Sequence, residues 1–149
     1  MSKIQTIGIV GAGQMGRGIA QVVAQSGYDA LLYDVSVQGL KEAIDFINKQ
    51  LTRGVEKGKW TQEDKEKTLA RIHKTEELDS FKACNLVIEA ASENKKIKFD
   101  IFKKLDELTK KDTLLASNTS SISITEIAAV TNRPEKVAGM HFMNPVPVM

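Results

Sequence analysis

The sequence predicts an α/β domain on a doubly wound parallel sheet, because short apolar runs alternate with helical stretches along the whole chain. A glycine run, Gly11-Ala12-Gly13, breaks the first strand-to-helix junction. Later apolar runs end at Asp34, Glu89, Ser117 and His141, so polar groups gather where strands finish.

Ile7 to Val10 is a short buried strand. Met15 to Ser26 follows with Met15, Ile19, Val22 and Val23 at helical spacing, and stops at Gly27. Ala30 to Tyr33 is the second strand. Ser36 caps a long helix whose positions Leu40, Ala43, Ile44, Ile47, Leu51 and Val55 keep the helical period until Gly58 breaks it. Thr61 with Asp64 opens another helix through Leu69 and Ile72. Together these make a helical hairpin, residues 36–72, inserted after the second strand. A short third strand is expected over Ile72 to Thr75.

Leu86 to Ile88 reads as the fourth strand. The next helix presents Ile97, Ile101, Phe102, Leu105 and Leu108 on one face and lysines on the other. Leu114 to Ala116, a short helix over Ile124 to Val130, and a sixth strand over Val137 to Met140 complete the order. The last residues, Asn144 to Met149, read as an extended linker cut short.

One domain of ordinary size fits 149 residues, and 42% hydrophobic with 27% charged residues is a globular profile. A net charge of +2, with no basic stretch interleaved with aromatics, argues against a nucleic-acid partner. No apolar run approaches the roughly 18 residues of a membrane span, and the start lacks a signal-peptide pattern. The expectation is a cytoplasmic protein. The single cysteine, Cys84, and the separated His73 and His141 offer no metal-ligand spacing. Cys84 and Trp60 read as packing residues, the latter at the turn of the hairpin, and His73 as a surface or strand-edge residue.

Gly11-Ala12-Gly13-Gln14-Met15-Gly16 matches G-x-G-x-x-G in its full context: it follows a strand, opens a helix and precedes an acidic strand end. The glycines allow a tight turn, close approach of pyrophosphate and close helix–strand packing, with the phosphates at the positive helix end. Asp34 is the expected partner of the adenine ribose hydroxyls. Its charge repels a 2′-phosphate and no arginine is adjacent, so NAD is preferred over NADP. This is the Rossmann pattern.

Ligands of such sheets bind at the carboxyl ends of the strands. Those ends carry Gly11, Asp34, Glu89 with Glu93, the cluster Asn118 to Ser121, and His141. Oxidising an alcohol with NAD needs a base, and imidazole, which titrates near neutrality, suits it. Ser120 or Ser121 can hold the substrate oxygen. Asn118 can do the same or orient the nicotinamide side.

Four stretches, Gly11 to Gly27, Val87 to Glu93, Ala116 to Ser121 and Gly139 to Pro147, resemble the L-3-hydroxyacyl-CoA dehydrogenase family, and within it the bacterial 3-hydroxybutyryl-CoA dehydrogenases. The resemblance implies NAD-dependent interconversion of 3-hydroxyacyl-CoA and 3-oxoacyl-CoA. By it, His141 is the catalytic base and Ser120 binds the substrate oxygen near the nicotinamide. Glu93, Lys98 and Asn144 match positions that contact NAD, and Lys57 one that meets CoA. Gln50 stands where some members use serine against CoA, and Met143 replaces a common phenylalanine. Family members continue into a helical C-terminal domain that dimerises and supplies an asparagine, and a glutamate pairing with the histidine follows just beyond the position of Met149. The expectation is therefore a cofactor half, inactive alone. The alternatives are a non-catalytic NAD-binding module and a dehydrogenase of a hydroxy acid without CoA.

Overall fold

The computed structural model describes residues 5–91, 94–119, 122–142 and 146–147. Strands β1 (Thr6–Val10), β2 (Asp29–Tyr33), β3 (Ile72–Thr75), β4 (Leu86–Glu89), β5 (Leu114–Ser117) and β6 (Val137–Gly139) form one sheet in the order β3-β2-β1-β4-β5-β6. Every neighbouring pair is parallel. The order reverses between β1 and β4, which places a crevice at their carboxyl ends. The expected doubly wound sheet, including the weakly signalled β3, is what the chain forms.

Helices α1 (Gln14–Gln25), α2 (Val37–Glu56), α3 (Gln62–Ala70), α4 (Lys95–Leu108) and α5 (Ile124–Ala129) cover the two faces. One buried cluster joins Ile7, Ile9, Leu32, Ile19, Ile47 and Leu51 beneath α1 and α2. The other joins Val10, Phe81, Val87, Phe102, Leu115 and Ile127 beneath α4 and α5. Each face of the sheet thus carries its own core. Gly8 in β1 makes room for the second: a Cβ there would sit 2.8 Å from the Phe81 ring.

The inserted hairpin forms as its caps require. Ser36 Oγ accepts from Gly39 N–H at 2.9 Å, and Thr61 and Asp64 make a reciprocal capping box. The Trp60 ring packs over Gly54, where a Cβ would come within 2.0 Å of it, while Nε1 donates to Leu51 O at 2.9 Å. His73 is exposed, 3.8 Å from Asp29. Cys84 is fully buried, and that burial pushes its thiol up to about 11, a packing residue and not a nucleophile.

Part of the expected linker packs on the domain. Residues Val146 and Pro147 form a turn, and Val146 is buried in the first core. A Cβ on Gly18 would sit 2.8 Å from Val146 Cβ, so this glycine lets the returning chain press onto α1. The rest of the expected linker lies outside the described residues.

Candidate functional site

The glycine loop has three separate tasks. Gly11 adopts φ +107°, a left-handed conformation, and a Cβ there would meet Ala91 Cα at 2.8 Å. Gly16 packs against the loop itself, since a Cβ would fall 1.6 Å from Gly11 O. Nothing lies within 4 Å of the Cβ position of Gly13, so open space remains above the start of α1.

That start is electrostatically unfinished. The helices α2, α3, α4 and α5 begin on Ser36, Thr61, Asn94 and Ser123, each accepting a backbone N–H through its side chain. Gly13 offers α1 no side chain, and no acidic residue occupies its first turn. The exposed Gly13 and Gln14, with half-buried Met15, therefore present positive helix-end potential to an anion. The space and the charge fit a pyrophosphate.

Asp34 stands at the end of β2, half-buried. Its Oδ2 accepts from Ala12 N–H and its Oδ1 from Ser36 N–H, both at 2.9 Å. One carboxylate thus fixes the glycine loop against the start of α2. Each oxygen keeps a further lone pair for a ligand hydroxyl. Beside it opens a cavity of about 480 Å³ whose lining includes Gly11, Asp34, Val35, Leu78, Ile97 and Ile101. Val35 and Ile97 are 79% and 49% exposed, unusual for apolar residues and suited to a planar heterocycle.

The apolar face of α4 is split in a way its period conceals. Phe102 and Leu105 enter the core, while Ile97 and Ile101 line the cavity. Lys98 is no part of a solvated lysine face: it is buried with the core residues, its Nζ 2.5 Å from Glu89 Oε1. Glu89 is likewise buried at the end of β4, its carboxylate bonded to Ala91 N–H and Ser117 Oγ beneath the rim. The signal for Lys98 was its spacing, three to four residues from Ile101 and Phe102 on the apolar stripe.

Asn118 and His141 come together at the ends of β5 and β6. Met140 N–H donates to Ser117 O at 2.9 Å, and Phe142 N–H donates to Asn118 Oδ1 at 2.8 Å. These two bonds bracket His141, which is exposed. The Asn118 amide N–H₂ faces no such demand from this bond. Ser120, Glu93 and Asn144 lie outside the described residues, as do Ser121 and Met143.

Lys57 is set apart. It caps the end of α2, whose 20 residues carry it about 30 Å of helix from Ser36. The turn after it brings Trp60 to a cavity shared with Gln25, Ser26 and Gly27, at the far end of α1. The end of the hairpin therefore sits at the opposite edge of the sheet, and not beside the rim.

Sequence reasoning also missed Arg133. Buried ahead of β6, it donates from Nε to Asp106 Oδ1 at 2.8 Å and from its two Nη atoms to four carbonyls, those of Asp106, Thr109, Lys110 and Thr113. It closes the C-terminal end of α4 and anchors the approach to the strand that ends at His141.

The family model described as 3-hydroxyacyl-CoA dehydrogenase, NAD binding domain, matches residues 6–149. The chain is 48% identical to a probable 3-hydroxybutyryl-CoA dehydrogenase of Bacillus subtilis over 99% of its own length and 51% of the relative's. It is also 48% identical to a 3-hydroxyadipyl-CoA dehydrogenase of Escherichia coli, covering 31% of that protein. Among solved structures, (S)-3-hydroxybutyryl-CoA dehydrogenase from Ralstonia eutropha superposes with a TM-score of 0.96 at 46% identity, over 99% of this chain and 52% of that one. The chain spans about half the length of the 3-hydroxybutyryl-CoA dehydrogenases it matches.

Proposed function

The chain belongs to the 3-hydroxyacyl-CoA dehydrogenase NAD-binding domain family, and from that premise we propose that it is the cofactor half of an enzyme interconverting L-3-hydroxyacyl-CoA and 3-oxoacyl-CoA, with 3-hydroxybutyryl-CoA as substrate. The observation that carries this reading is the open, uncapped start of α1 under Gly13, flanked by the Asp34 carboxylate.

Gly11 to Gly16 hold the pyrophosphate, Asp34 the adenine ribose, and the cavity between Val35 and Ile97 the adenine. NAD, when bound, supplies the hydride acceptor. Glu93, Lys98, Asn118, Ser120 and Asn144 line the nicotinamide side. Ser120 binds the substrate oxygen and His141 takes the hydroxyl proton from it, leaving that oxygen to become the carbonyl. The family's C-terminal domain covers this rim and carries the dimer contact.

Calorimetry on the 149-residue chain tests the cofactor. NADH binds measurably and NADPH far more weakly, and Asp34→Ala narrows that difference, because it removes ribose hydrogen bonds and charge repulsion together. Equal affinity of the unaltered chain for both cofactors rejects the assignment.

Lys57 is proposed to meet the CoA nucleotide, which then lies along α2 while its pantetheine arm reaches the rim. In an enzyme completed by a family C-terminal domain, Lys57→Ala raises KM for acetoacetyl-CoA several-fold and leaves NADH binding unchanged. The effect shrinks with salt, since exposed charges are screened over about 8–10 Å. Equal weakening of both substrates would place the effect in the fold.

A further inference from the structure

Glu89 ends β4 with its carboxylate buried, and binds groups from three segments. Its Oε2 accepts from Ala91 N–H at 2.8 Å, in the loop after β4. Its Oε1 accepts from Lys98 Nζ in the first turns of α4 and from Ser117 Oγ, 2.8 Å away, at the end of β5. Ser117 Oγ in turn accepts from Thr119 N–H at 3.2 Å. One carboxylate therefore ties together the loop after β4, the start of α4 and the loop after β5.

Stability does not explain this arrangement. Desolvating a carboxylate and an ammonium together is costly, and an apolar pair of equal volume often serves a core as well or better. An apolar pair would not fix the backbone of two loops. The loop after β4 reaches the cavity beside Asp34 through Ala91, whereas β5 stands on the side of the glycine loop away from β2, the half of a doubly wound sheet that takes the second mononucleotide. The connection continues: Asn118 follows Ser117 and holds Phe142 N–H, next to His141.

We propose that Glu89 is a positioning residue which, through Ser117, sets Asn118 and Thr119 at the end of β5 against the nicotinamide half of the cofactor. The proposal rests on the NAD reading above. It predicts a split between ligands. ADP-ribose shares the adenosine and pyrophosphate of NADH but lacks the nicotinamide, so it depends on Gly11 to Gly16, Asp34 and the Ala91 side of the cavity and not on the Ser117 link.

The 149-residue chain and its variants are titrated with NADH, by its fluorescence, and with ADP-ribose, by calorimetry. Ser117→Ala leaves the Glu89–Lys98 pair in place and cuts the link to the β5 loop. Glu89→Gln keeps the shape but leaves the Lys98 ammonium without its counter-charge. Ser117→Ala weakens NADH roughly tenfold, the worth of one hydrogen bond to a charged group, and leaves ADP-ribose unchanged; Glu89→Gln weakens NADH by more than it weakens ADP-ribose. If Glu89→Gln does not fold, Glu89→Asp keeps the charge but is too short to hold Ala91, Lys98 and Ser117 together, and it shows the same split. Equal losses for both ligands, or NADH affinity retained in Ser117→Ala and in the foldable Glu89 variant, overturn the proposal. An unaltered chain that binds neither ligand overturns the cofactor reading itself.

Discussion

In an enzyme completed by a family C-terminal domain, His141→Gln is expected to lower kcat by roughly 10²- to 10⁴-fold while leaving NADH affinity nearly intact. Glutamine keeps a polar side chain of similar reach but cannot accept a proton near neutrality. The geometry supports a role for His141 apart from cofactor binding. It sits beyond β6, three strand spacings or about 14 Å from the glycine loop at the end of β1. The backbone on either side of it is held, Met140 N–H by Ser117 O and Phe142 N–H by Asn118 Oδ1, so the substitution should disturb little else. The 149-residue chain is expected to turn over poorly, because His141 is open to water and no orienting carboxylate is hydrogen-bonded to it among the described residues. Single-turnover measurement of hydride transfer separates the step from product release. Undiminished turnover in His141→Gln would assign the base elsewhere.

Arg133→Met is expected to destabilise the fold by about 3–5 kcal/mol, the usual consequence of removing one partner of a buried ion pair. The Asp106 side chain, 9% exposed beside Arg133, would lose its counter-charge. The carbonyls of Asp106 and Thr109 at the end of α4, and of Thr113 beyond it, would lose the guanidinium donor, while that of Lys110 keeps Thr113 N–H. For a domain of this size each kcal/mol moves Tm by roughly 2–4 °C, so the midpoint should fall on the order of 10 °C. Adding Asp106→Leu to Arg133→Met should recover part of the loss by removing the orphaned charge. A Tm unchanged by Arg133→Met would show that the network adds no stability.

The helices and strands were legible in the sequence because their signals are local. Caps at Ser36 and Thr61 act over three residues, and the period of α2 is set by its own apolar positions. The glycine loop was legible for the same reason: a strand, three spaced glycines and a helix are contiguous. Even β3, short and polar at three of four positions, forms where a poorly signalled strand was expected.

What went astray involved partners far apart in sequence. Only the resemblance set Lys98 apart from its neighbouring lysines, because its counter-charge, Glu89, lies nine residues back across a loop, and Ser117 nineteen ahead on another strand. Val146 read as linker because its contact, Gly18, is on the first helix.

The sequence by itself determined the element order, the parallel sheet, the glycine loop, the acidic end of β2 and the family. All of these depend on residue type and spacing within one or two elements. Only the tertiary structure decided which charges are buried, which glycine exists for a distant side chain, and which edge of the sheet the hairpin end occupies. The desolvation that makes the Glu89–Lys98 pair and Arg133 matter arises when separate segments close over them, and no local pattern records that closure.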